Sequence, residues 1–190
     1  MFMKKGSWPV TAMAVSLAAA AMLAPARAGE VTFQFRLGSS DVKVNGDELV
    51  SGEAEKDSGL LAAGFAVAYR WPKGAVIELS KTDSGDIFPI LGFTDMEHVS
   101  LGAGWQFDMG EYFNFTPKAG LVYTSLENLQ EDIWSGGEPV ERFHDVVPFL
   151  EVSVDGRIGK HFGIGLFWRR NQESFGNSST YGLSLGWTWL

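Results

Sequence analysis

The sequence contains no cysteine among its 190 residues. That absence removes disulfide frameworks, thiolate metal sites and cysteine nucleophiles together. Histidine is scarce, and His98, His144 and His161 do not stand at metal-ligand spacing, so neither a metal nor another cofactor is expected. Lys and Arg number 15 against 23 acids, for a formal net charge of -8. Phosphate backbones need a basic surface, so no nucleic-acid partner is expected. Apolar residues recurring with a helical period are missing. Past residue 28 no apolar run is long enough for a transmembrane helix. What the chain does have is 45% hydrophobic residues, which excludes a disordered chain, and 13% aromatics, with 7 Trp and 14 Phe. That aromatic content is high for a soluble domain and ordinary for a membrane barrel with interfacial girdles.

Residues 1–28 have the layout of a cleaved secretory signal peptide. Lys4 and Lys5 form a basic start, residues 8–23 are apolar and rich in Ala, and Pro25 precedes Ala26-Arg27-Ala28, an A-x-A cleavage site. The alternative is an uncleaved anchor, but the proline and the cleavage site come in the expected order. Residues 29–190 then form the one folded domain, more acidic than the precursor by the loss of Lys4, Lys5 and Arg27.

Strict alternation dominates that domain. Val31, Phe33, Phe35 and Leu37 alternate with Thr32, Gln34 and Arg36. Similar stretches carry Phe65 to Trp71, Ala75 to Leu79, Val99 to Phe107, Phe113 to Tyr123, Leu150 to Val154, Phe162 to Trp168 and Tyr181 to Trp189. Period-two alternation predicts half-buried strands, here eight of them. Three connections are short: 72–74, 108–110 and 155–160. Four are long and polar: 40–58, 83–95, 125–145 and 171–179. Long and short connections in turn predict an all-β fold, an eight-stranded antiparallel up-and-down transmembrane β-barrel.

The two faces of these strands differ in kind. One is large and apolar and ends in aromatics beside the short turns: Trp71, Trp105, Phe107, Phe113, Phe115, Trp187 and Trp189. The other is Gly, Ser, Thr, Asn and Gln with single charges, and Arg36, Glu78, Lys118, Glu151 and Arg169 are expected inside the barrel. Buried ions must pair, so a network is expected among them. Gly102, on the same face, is expected to accept Ser at a lower cost than outward Leu101 accepts Arg. A soluble lipocalin-like periplasmic binding barrel would place the apolar face inside. The small-residue face holds too little apolar volume to fill a dry core, which favours the membrane form.

With these features the chain resembles the small outer-membrane β-barrel proteins, of the OmpX-like and OmpA transmembrane-domain type. The resemblance spans residues 29–190. It includes the last strand, Tyr181 to Leu190, which looks like the C-terminal signal read by the barrel-assembly machinery, with Leu190 one residue out of phase with Trp187 and Trp189. It implies a place in the cell outer membrane of a Gram-negative envelope. The partners it implies are outer-membrane lipids, lipopolysaccharide and the assembly machinery.

Some small barrels are enzymes. The lipid A deacylase family carries a His-x-Ser pair late in the chain, and His98-Val99-Ser100 has that spacing. The two side chains share a strand face, but they lie mid-chain on the inward face, and the late segment 167–171 has no His. A hydrolase using His98 and Ser100 therefore stands as the alternative, and the expectation is a non-enzymatic protein without catalytic, metal or cofactor residues. Its role would be structural or in surface interaction, through acidic extracellular loops. Loop 40–58 carries Asp41, Asp47, Glu48, Glu53, Glu55 and Asp57, and loop 125–145 carries Glu127, Glu131, Asp132, Glu138, Glu141 and Asp145. Phe88 and Trp134 add single aromatics to the loops.

Overall fold

The computed structural model describes residues 29–44, 56–85, 93–129, 141–173 and 176–189. Among them there is no helix, and alternation has become nine β-segments: β1 (Glu30–Val44), β2 (Lys56–Arg70), β3 (Ala75–Gly85), β4 (Phe93–Trp105), β5 (Phe107–Met109), β6 (Phe113–Leu129), β7 (Glu141–Ile158), β8 (Phe162–Glu173) and β9 (Gly176–Trp189). β4 and β5 are two halves of one strand. Their pairing with β6 keeps one register, from Gly104 opposite Lys118 to Phe107 opposite Phe115. The interruption coincides with Pro117, which has no N–H to donate. Gln106 instead donates its backbone N–H to the Gly74 carbonyl, at 2.7 Å.

Eight strands thus pair in sequence, all antiparallel, and β9 pairs with β1 to close the ring. Closure leaves no sheet edge to be satisfied by solvent. Neighbours across the ladders run from Thr32 through Ala68, Glu78, Gly102, Gly120, Phe149, Asn171 and Ser178 back to Val42, ten residues beyond the start. An even offset is what closure requires, because an odd one would set inward residues beside outward ones.

The burial pattern is inverted relative to a soluble barrel. Leu37, Phe65, Leu101, Leu121, Leu150, Leu166 and Leu183 face outward, with Leu150 64% exposed, while Arg36 is 1% exposed. Among the described residues, twenty buried side chains are polar or charged and eleven are apolar. A lipocalin-type interior would reverse that balance. The aromatics expected beside the short turns are outward or half-exposed there, and Tyr69 and Trp71 meet edge to face at 4.7 Å.

Strand boundaries differ from the sequence expectation. β1 runs to Val44 and β2 starts at Lys56, β3 and β4 reach Gly85 and Phe93, β6 and β7 reach Leu129 and Glu141, and β8 and β9 leave only 174–175 between them. The ladders extend into polar segments because backbone pairing continues where side-chain alternation fades. Two short turns also shift. Asp108 and Met109 belong to β5, so that turn is Gly110 to Tyr112, and β7 runs through Asp155 to Ile158, leaving Gly159 to His161 as the next turn. Each short turn carries one glycine at positive φ, Gly74, Gly110 or Gly159, where a side chain would be strained. Residues 1–28, Phe88, Trp134 and Leu190 lie outside the described residues.

Candidate functional site: the layered lumen

The inward side chains form layers from the short-turn end to the long-loop end. The first layer is a vestibule open at the short-turn end, lined by Glu30, Arg70, Asn114 and Arg157 among others. At its rim Arg70 reaches Glu30 at 3.2 Å and Asp108 at 3.0 Å, and Arg157 also reaches Glu30, at 3.2 Å. Glu78 and Lys118 line its inner end.

The next layer is ionic. All five charges expected inside the barrel are there, each from a different strand, and each is at most 5% exposed. Arg36 donates to Glu78 at 2.8 Å and to Glu151 at 3.2 Å. Lys118 lies 2.5 Å from both carboxylates. Arg169 donates through Nε to Glu151 at 2.7 Å and through Nη2 to Ser80 at 3.0 Å. Arg36 also lies over Phe167, 5.0 Å from the ring centroid, and Arg169 over Phe149 at 4.5 Å. Glu151 therefore touches all three cations. Such a network offsets the desolvation of its charges only as long as every member stays.

Alternation alone predicts three cations and two acids for this layer, with Asp155 in a turn. Asp155 is instead inward on β7, accepting from Ser184 at 3.1 Å and Ser153 at 3.2 Å. Asp155 stands beside the layer as a third acid, held by hydroxyls and in no ion pair among the described residues.

Past the ionic layer the lumen turns to hydroxyls and one histidine. Ser80 and Ser100 share a hydrogen bond at 2.7 Å, and Ser40 bonds both Ser84 and Thr180, at 3.0 and 2.8 Å. His98 Nε2 lies 3.3 Å from the Asn171 amide nitrogen and 3.6 Å from Glu173. Ser178 donates to Glu173 at 2.6 Å and accepts from Asn171 at 3.0 Å. Glu173 Oε2, Asn171 Oδ1 and Thr124 Oγ1 are buried with no hydrogen-bond partner, as are Arg36 Nε and Glu151 Oε1 in the ionic layer. His98 and Ser100 both face inward, as their spacing implies, but they turn to different neighbours. The serine bonds another serine, and the carboxylate beside the histidine is bonded to Ser178 rather than orienting a base toward Ser100. A nucleophile needs its base within hydrogen-bond reach, and this pair is not arranged that way.

Val42, Leu60, Met96 and Leu126 end the series as a buried apolar cluster, each at most 3% exposed. Neither this plug nor the Asn171–Glu173–Ser178 group was foreseen. Both lie in segments read as loop or at loop margins. The one available signal was that Arg36, Gly38, Ser40 and Val42 keep a single parity beyond the last large apolar residue of β1.

A closed antiparallel barrel, filled with paired charges and hydroxyls and clad in apolar and aromatic side chains, is a transmembrane β-barrel of eight strands. No family model and no curated protein matches the chain. Solved structures do match. Ail, the attachment invasion locus protein of Yersinia pestis, is 16% identical with a TM-score of 0.61, over 85% of this chain and 99% of that one. The outer membrane protein OprG from Pseudomonas aeruginosa is 11% identical with a TM-score of 0.62, over 85% and 96%. Neisserial surface protein A is 12% identical with a TM-score of 0.59, over 84% and 95%. At such identities the likeness shows the fold, and that fold is the one these small outer-membrane barrels share.

Proposed function

We propose that this protein is a non-enzymatic barrel of the outer membrane, exported by the signal peptide at residues 1–28 and inserted by the barrel-assembly machinery. Its role is structural or in surface interaction. The observation that carries this reading is the inverted burial: paired charges inside, exposed Leu, Phe and Trp outside. Only a lipid surround makes that outer wall favourable. The short turns then face the periplasm and the long loops the cell exterior.

The absence of an enzyme role is supported by the lumen itself. His98 and Ser100 are sealed inside, where an acyl chain in the membrane does not reach. Surface interaction falls to the loops, which repel polyanions through the acids of 40–58 and 125–145 unless divalent cations intervene. Ail has been solved with the heparin analogue sucrose octasulfate. The loop charge here argues for a different preference, for cationic or cation-bridged surfaces, lipopolysaccharide among them.

Purified protein in cold detergent should migrate anomalously on a gel and normally after boiling, and it should fractionate with outer membranes. Lipid A from expressing cells should keep its acyl chains. A soluble periplasmic protein without heat-modifiable mobility would overturn the membrane assignment, and a deacylated lipid A lost on Ser100→Ala would overturn the non-enzyme one.

A further inference from the structure

The outer wall is not apolar throughout its upper half, and its charges are treated unequally. Lys81 faces outward but is held by Asp83 at 3.3 Å and Glu97 at 3.1 Å. Arg170 faces outward from β8, is exposed, and makes no ion pair or hydrogen bond among the described residues. Its neighbours across the ladders are Leu150 on one side and Ser179 on the other. Asp41 lies beyond Ser179, two strands away.

The surroundings of Arg170 have a definite chemistry. One step toward the long loops, Gln172 pairs with Asn177, and one step toward the short turns, Trp168 pairs with Tyr181. So β8 and β9 present one guanidinium among three neutral polar side chains, Gln172, Asn177 and Ser179, directly above an aromatic pair. On β7 the wall stays apolar past this level, with Leu150 64% and Val146 61% exposed. An unpaired cation against an apolar wall is costly in lipid unless an anion meets it at the interface.

We propose that this wall is a lipid-headgroup site. Arg170 pairs with the phosphate of a membrane lipid, Gln172, Asn177 and Ser179 complete its hydrogen bonds, and the acyl chain lies over Leu150 and Trp168. The guanidinium fork matches two phosphate oxygens, which a lone ammonium does not. The site rests on the membrane reading above, and it gives the lipid contacts of that reading a single location.

The test uses the folded protein in maltoside micelles, which contain no phosphate. Binding is followed by native mass spectrometry and by the shift in unfolding temperature, with dimyristoyl phosphatidic acid, dimyristoylglycerol or inorganic phosphate added. Phosphatidic acid should bind saturably, and Arg170→Gln should weaken that binding about tenfold or more, the loss of a charge-assisted bidentate contact. Lys81→Gln should leave it intact. Dimyristoylglycerol and inorganic phosphate should bind far more weakly, because one lacks the anion and the other the chains. Equal binding of phosphatidic acid and dimyristoylglycerol to the native protein overturns the site without any variant. So does undiminished binding by Arg170→Gln, or inorganic phosphate binding as tightly as the lipid. A chain without heat-modifiable mobility overturns the membrane reading, whereas a heat-modifiable one without lipid preference overturns only this site.

Discussion

The two ends of the lumen solve burial differently. Toward the short turns, five charges are tied together below an open vestibule, and Glu151 alone meets Arg36, Lys118 and Arg169. Toward the long loops, one carboxylate, Glu173, has a histidine at 3.6 Å and a serine, and four apolar side chains pack into a buried cluster. The first region is held by electrostatics that fail together. The second is held by packing that fails piecemeal. A polar interior is thus not one kind of environment, and burial alone does not say what a side chain contributes.

Glu151→Gln is the sharpest way to break this comparison. It leaves three cations facing Glu78 and Asp155, and it should cost about 3–5 kcal/mol, as removal of one partner from a buried ion network does. Urea titration read by heat-modifiable mobility in lipid or detergent measures it. Glu173→Gln should cost about 1 kcal/mol or less, because it changes one long contact to His98 and keeps a polar atom for Ser178. Equal costs would erase the distinction between the two ends.

The outer wall supplies the next test. Leu101→Arg should cost about 2–4 kcal/mol near the membrane midplane. Gly102→Ser, expected to be milder than that, still carries a cost, since a Cβ at Gly102 would lie 2.6 Å from the Phe149 ring. Its cost should be about 1–3 kcal/mol by overpacking, and Gly102→Ser with Phe149→Leu should recover part of it.

Met96→Ala in the plug should cost about 2–3 kcal/mol, and amide exchange should quicken in the neighbouring loop-end residues while the ionic layer keeps its protection. Ser100→Ala should be the smallest effect, about 1 kcal/mol or less, the loss of one bond to Ser80. Topology can be read without any stability change: a tag at Gly136 should be reached by antibody on intact cells, and a tag at Gly110 should not.

Arg36, Glu78, Lys118, Glu151 and Arg169 were legible because each interrupts a strand at an inward position, and alternation fixes which face a residue takes. Their convergence was not legible in the same way. Arg36 meets Glu78 and Glu151 only because the ladder registers bring β1, β3 and β7 to one level, and register is set by turn geometry and closure rather than by any one segment. Asp155 was lost to a boundary error at a Gly-containing turn. Val42, Leu60, Met96 and Leu126 were lost for a deeper reason: a polar-inside rule describes the average lumen position, and the plug, like the buried Val122, Val147 and Phe149, departs from it. Glu173 and Asn171 sat in what read as a loop, because polar residues occupy both faces of a strand once it leaves the membrane.

The ten-residue offset at closure has a consequence for how such a chain can change. One residue inserted within a strand reverses the facing of every side chain on its far side, sending Arg or Glu toward lipid and Leu toward the ion network. Two inserted residues preserve facing but move one half of the strand against both neighbours. Length should therefore vary freely in the connections and only in pairs within the strands. Single-residue insertion scanning should find β3, β6 and β7 intolerant between their inward charges and the adjoining turns, and the four long connections permissive.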